Sequence, residues 1–159
     1  GKNTPFLAEL GGRVTAVDFS PGMIAQAKAK ITAPNVTFQV ADITQPWPTA
    51  DAAFDLITFN LILEHIADLS FVLGEGSRSL VAGGQLFISE LHPFKQYQGS
   101  QARFVRDEAT TLIPAFTHHI SDFLTAAALS GLTLTSLNEW WHEADDGKPP
   151  RLVTFWFQK

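Results

Sequence analysis

Apolar, β-rich runs alternate with segments of helical spacing along most of this chain, and few architectures accept that order. Arg13 to Asp18, Val36 to Ala41, Phe54 to Asn60 and Gln85 to Glu90 read as strands, with helical patterns between them. A helix between two strands makes the crossover that a parallel pair requires, so the alternation predicts an α/β fold: a mostly parallel sheet covered by helices.

The helix after the first run has a clear start. Ser20 can cap its free N–H groups, Pro21 suits the first helical position, and Met23, Ile24 and Ala27 continue it. A second helix is expected from Ala67 to Val81, where Leu69, Val72, Leu73 and Leu80 recur at helical spacing before Gly83-Gly84 stops it. Phe94 to His119 is polar, aromatic and irregular, as an insert covering a substrate would be. Ser121 then opens a helix to Gly131, and Leu132 to Trp140 and Leu152 to Phe157 alternate like an antiparallel strand pair. The turn-rich stretch Ala144 to Pro150 links them. A length of 159 residues fits one domain, residues 1–159.

Composition narrows the partners. A net charge of -5, with scattered Lys and Arg, speaks against tracking a phosphate backbone, so nucleic acid is not expected and a small molecule is. The absence of Cys excludes disulfides, thiolate metal sites and a cysteine nucleophile, and fits a reducing cytoplasm. No apolar run approaches the ~20 residues of a membrane helix, and no membrane association is expected.

Asp18 ends the first run just before a capped helix, where open parallel sheets bind their ligands. A carboxylate there can accept hydrogen bonds from both hydroxyls of a ribose; it can equally be a solvated acid favouring the amino end of the helix. Asp42 ends the next run roughly two dozen residues later, beside Ile43. It can accept from an adenine amino group, or simply turn the chain before Thr44-Gln45-Pro46.

With these acids in place the sequence resembles a known family. Gly1-Lys2-Asn3-Thr4, Val17-Asp18-Phe19-Ser20, Ala41-Asp42-Ile43, Phe54-Asp55-Leu56-Ile57 and Gly83-Gly84-Gln85-Leu86 follow the order of the class I S-adenosylmethionine-dependent methyltransferases, over residues 1 to about 92. The resemblance implies a Rossmann-like, doubly wound sheet with an antiparallel carboxyl-terminal pair, S-adenosylmethionine as cofactor, and methyl transfer to a small-molecule acceptor. Gly1 resembles the last glycine of the family's glycine-rich loop, so the resemblance also implies that the first strand lies before this sequence. By the same resemblance Asp18 holds the ribose, Phe19 belongs to the cofactor site, Met23 flanks the adenine, Asp42 and Ile43 bind it, and Asn60 with Leu61 runs beside the transferable methyl. The Asn-Pro-Pro-Tyr signature of amine and base methylators is replaced by Asn60-Leu61-Ile62-Leu63.

His65 and His92 are the candidate bases toward an acceptor hydroxyl or amine, with His118 and His119 behind them. A packing or capping role is the alternative for each. Arg103 and Arg106 can hold a substrate carboxylate, and Phe94, Tyr97, Phe104 and Phe116 can wall a pocket. No metal is expected, since the acids form no convincing oxygen cage and the adjacent His118 and His119 point apart. Two other functions fit parts of the pattern. A nicotinamide-dependent oxidoreductase would also use Asp18 on a ribose but has no use for Asp42-Ile43. A non-catalytic cofactor-binding remnant needs no working acceptor site.

Overall fold

The structure, a computed structural model, describes residues 1–99, 103–106, 109–112, 115–145 and 147–159. It divides into two compact units, residues 1–45 and 46–159.

The first unit runs α1 (Thr4–Leu10), β1 (Val14–Asp18), α2 (Pro21–Lys30) and β2 (Val36–Val40). β1 and β2 pair in parallel from Val14 opposite Val36 to Asp18 opposite Val40, as the alternation predicts. Ser20 caps α2 as expected, its Oγ accepting the Met23 N–H at 3.3 Å. Ile24 and Ala27 form the buried face of this helix. α1 is absent from the sequence reading, although Pro5 in its first turn is a start signal. Its carboxyl end is held by Asn35, whose Nδ2 donates to the carbonyls of Ala8 (2.8 Å) and Gly11 (2.9 Å). Among the described residues β1 pairs only with β2, and Val17 and Val40 remain exposed.

The second unit contains β3 (Phe54–Asn60), a 3-10 turn (Leu63–His65), α3 (Leu69–Ser79), β4 (Leu80–Leu91), the short α4 (Pro93–Tyr97), β5 (Arg103–Arg106), β6 (Ala109–Leu112), α5 (Ile120–Leu129), β7 (Thr133–Trp140) and β8 (Leu152–Gln158). Its main sheet has the order β3-β4-β8-β7. β3 and β4 are parallel, while β8 runs antiparallel to both β4 and β7. The expected antiparallel pair is therefore present, with its second strand inserted beside β4.

Three sequence expectations change. Gly83-Gly84 does not stop a helix: α3 ends at Ser79, and the glycines lie inside β4. Phe54 pairs with Leu80 but Leu56 with Gln85, so β4 carries a bulge, and Gly83 supplies the positive φ of 78° that the bulge requires. Ser121 does not open α5; His119 does, with its N–H donating to Asp122 Oδ2 at 2.7 Å. The 94–119 segment is more regular than expected, because α4 and the antiparallel β5–β6 pair occupy part of it. Residues 100–102, 107–108 and 113–114 of that insert lie outside the described residues, as do the side chains of Phe104, Arg103 and Arg106 and hence the expected carboxylate contact.

The core of this unit lies between the sheet and the helix pair α3 and α5. Leu69, Val72, Leu73 and Gly76 occupy one helical stripe of α3, and all are buried. A Cβ at Gly76 would stand 2.9 Å from Leu86 Cδ1, so glycine is what lets α3 lie close on β4. Phe123 of α5 stacks on Phe155 of β8 with centroids 5.0 Å apart, and Phe155 stacks in turn on Phe157 at 5.9 Å. Among the described residues no helix is long and apolar enough to cross a membrane.

Candidate active site

The first unit brings Asp18 and Asp42 to the carboxyl ends of adjacent parallel strands, where the Ala41 N–H donates to the Asp18 carbonyl at 3.2 Å. Each carboxylate is fixed by one oxygen. Asp18 Oδ1 accepts the Ser20 N–H at 2.8 Å, while Asp42 Oδ1 accepts the Thr44 N–H at 2.9 Å and the Thr44 hydroxyl at 2.7 Å. These Thr44 bonds hold the Asp42 carboxyl below its ordinary range. No hydrogen bond to either Oδ2 occurs among the described residues. Two oriented acceptors thus stand at one sheet edge.

Apolar surface accompanies them. Phe19 is 70% exposed and Met23 49%, far more than such side chains need for packing alone. Ile43 follows Asp42 directly and is half-buried. Gly1 packs on α2, where a Cβ would stand 3.1 Å from Ile31 Cδ1 and 3.2 Å from Ala27 Cβ. Close packing is thus a reason for glycine at position 1 that the sequence did not reveal. A nucleoside offers ribose O–H and base N–H donors together with an apolar ring, and the free oxygens of Asp18 and Asp42 beside Phe19 and Met23 have the matching chemistry.

In the second unit Asn60 closes β3 opposite Ser89, half-buried, with its Nδ2 donating to Thr58 Oγ1 at 3.3 Å. Leu61 then takes a left-handed φ of 52°, unfavourable for a side chain with a Cβ. This bend turns three successive N–H groups toward β4. Leu61 donates to the Ser89 carbonyl at 2.9 Å, and both Ile62 and Leu63 donate to Glu90 Oε1 at 2.9 Å. Glu90 is 2% exposed, and its Oε2 has no partner among the described residues. Burial pushes the Glu90 carboxyl up to about 7, the charge of Glu64 adds to that push, and the N–H groups of Leu63, Ile62 and Glu64 oppose it.

The two candidate bases differ. His92 is buried and uses both ring nitrogens in the fold. Its Nδ1 accepts the Phe94 N–H at 3.2 Å, which caps α4, and its Nε2 lies 2.8 Å from Glu139 Oε1. Because the Nδ1 must keep its lone pair to accept that N–H, the Nε2 carries the proton given to Glu139. Both ring nitrogens of His92, expected to face an acceptor, are thus occupied by Phe94 and Glu139 in this structure. His65 sits on the 3-10 turn with its Nε2 3.7 Å from Glu64 Oε1 and its side chain 26% exposed. His118 donates from Nε2 to the Ile66 carbonyl at 2.7 Å, and His119 Nδ1 meets the Tyr97 hydroxyl at 2.5 Å. Sequence reasoning gave Glu90 and Glu64 no role, since the N–H groups that hold Glu90 come from a turn 27 and 28 residues earlier in the chain.

The family model described as a methyltransferase domain matches residues 1–88 of this chain, more than half of it. The chain belongs to the class I S-adenosylmethionine-dependent methyltransferase family. The ubiquinone biosynthesis O-methyltransferase of Xanthomonas oryzae pv. oryzae is 28% identical over 131 residues, covering 78% of this chain and 52% of that protein. The malonyl-[acyl-carrier protein] O-methyltransferase of Erwinia billingiae is 42% identical over 81 residues, covering 51% of this chain and 31% of that protein. The chain thus spans about half the length, or less, of these curated relatives. Among solved structures, an S-adenosylmethionine-dependent methyltransferase from Mesorhizobium loti superposes with a TM-score of 0.81 at 18% identity, covering 98% of this chain and 85% of that one. The Rossmann-like fold class is shared, and family membership decides against the nicotinamide-dependent oxidoreductase.

Proposed function

We propose that residues 1–159 act as one methyltransferase domain that binds S-adenosylmethionine and transfers its methyl group to a small-molecule acceptor. The observation that carries this reading is the pair of oriented carboxylates, Asp18 and Asp42, at the same end of a parallel strand pair, each with an Oδ2 unpartnered among the described residues. Asp18 accepts the ribose hydroxyls and Asp42 the adenine amino group, while Phe19, Met23 and Ile43 cover the ring. By the family resemblance Asn60 and Leu61 supply backbone at the reacting end of the cofactor; within their own unit the turn after β3 ties Leu61 and Ile62 to β4.

The cofactor supplies an electrophilic methyl on a sulfonium, so the protein's main task is alignment of acceptor and donor. A proton leaving the acceptor needs a base, and His65 is the candidate because His92 is committed to the fold. Both named relatives are O-methyltransferases, which favours an oxygen nucleophile. The acceptor is a small molecule, with no role for nucleic acid or a membrane.

Calorimetric titration with S-adenosylhomocysteine tests the reading. Asp18→Ala should weaken binding at least tenfold, since each lost hydrogen bond to a charged acceptor is worth about 1.5–3 kcal/mol. Asp18→Asn keeps an acceptor for the Ser20 N–H and separates loss of affinity from loss of the helix start. Unchanged affinity in both variants would remove the assignment.

A further inference from the structure

The turn after β3, the end of β4 and the segment entering α5 enclose a small cavity in the second unit. Glu64, Glu90, Leu91, Gln96, Phe116, His118 and Phe123 line it, and it has room for about one water. The Phe116 N–H donates to the Glu64 carbonyl at 2.7 Å and His118 to the Ile66 carbonyl at 2.7 Å, so its wall is tied to the turn.

What sets this cavity apart is the hydrogen-bonding state of its polar lining. Glu90 Oε2 is buried without a partner among the described residues. Glu64 is 9% exposed and meets only the ring of His65, at 3.7 Å, among the ion pairs of the described residues. The Ile66 carbonyl can only accept, so the Nε2 of His118 donates there, and in the Nε2–H tautomer its Nδ1 is an acceptor. Gln96 donates from its amide nitrogen to the Phe116 carbonyl at 3.3 Å, which leaves its amide oxygen as an acceptor. Among the described residues, every polar side chain lining the cavity therefore retains acceptor capacity, two of them are carboxylates, and no Lys or Arg lines it.

From this arrangement we infer that the cavity is a subsite for a primary ammonium group carried by the acceptor molecule. An ammonium nitrogen is close to water in size, brings three N–H donors to a set of acceptors, and carries the charge that two buried carboxylates lack. Phe116, against which the His118 ring packs at 6.4 Å, adds an aromatic wall that suits a cation. Glu90, whose carboxyl burial holds near 7, ionises more readily once a cation lies beside Oε2. The inference rests on the reading of a small-molecule acceptor for its purpose, but not for its chemistry.

The test is a titration of methylammonium chloride into the full chain at fixed pH, followed by NMR of the glutamate carboxyl carbons. A saturating shift at Glu90 is expected, competed by ammonium but not by tetramethylammonium, which has no N–H to donate. Glu90→Gln keeps an oxygen for the Ile62 and Leu63 N–H groups while turning Oε2 into a donor, and should weaken binding about tenfold or more. Glu64→Gln leaves the Glu90 clamp intact and should also weaken it. Absence of saturation, or saturation unchanged in both variants, overturns the subsite, as does magnesium producing the same shift more tightly than methylammonium. S-adenosylhomocysteine titrated into the same sample reports separately: its failure to bind with methylammonium still binding removes the methyltransferase reading and leaves the subsite. The reverse result removes the subsite alone.

Discussion

Replacing Glu90 by Gln should change how stability depends on pH. The folded carboxyl lies at about 7 against an ordinary value of 4.5, a difference of 2.5 units, with burial as its chief cause. The folded state therefore binds a proton that the unfolded state has released. Stability from this group is fully present below about pH 4.5 and is lost as pH rises through 7. At about 1.4 kcal/mol per unit the total is on the order of 3 kcal/mol. Glu64, His65 and His118 are the other titratable groups beside it, and all persist in the variant, so the difference between the two proteins isolates Glu90. The assay is urea unfolding at a series of pH values from 5 to 8. All four tryptophans, Trp47, Trp140, Trp141 and Trp156, lie in the unit that holds Glu90, so their fluorescence reports the right transition. Wild type should lose roughly 1–3 M in urea midpoint relative to Glu90→Gln across that range. Parallel curves for the two proteins would show that Glu90 does not hold its proton, and the burial argument would fail.

Two further outcomes follow from packing and capping. Phe155→Ala removes the ring stacked between Phe123 and Phe157 at zero exposure and should cost about 3–5 kcal/mol, read as a lowered thermal unfolding midpoint. Ser20→Ala removes the acceptor for the Met23 N–H and should cost about 1 kcal/mol, with Ser20→Asn restoring most of it by the same measurement.

The sequence displayed its strands well because periodicity survives in the written order of residues. Phe54 to Asn60 was bounded to the residue, and Val14–Asp18 and Val36–Val40 within one. It misplaced the glycines at 83 and 84, since a helix stop and a bulge demand the same left-handed residue and differ only in what Phe54 and Leu56 pair with. It missed α1, where Pro5 as a start signal stood in plain view before Phe6, Leu7 and Leu10. At the site, Asp18 and Asp42 were legible as strand-end acids. His92 was not, because its partner Glu139 is 47 residues away in sequence. Glu90 was hidden for a similar reason: its two donors come from a turn 27 and 28 residues earlier, made possible by a backbone bend at Leu61 that no propensity favours.

That turn also carries its own clock. The amides of Leu61, Ile62 and Leu63 are neighbours, but the first is held by a backbone carbonyl and the other two by an ionisable side chain. Amide hydrogen exchange therefore divides within three residues: Leu61 records the opening of the sheet, while Ile62 and Leu63 record the state of Glu90 as well. The difference between their rates separates motion of the strand from occupation of the cavity beneath it.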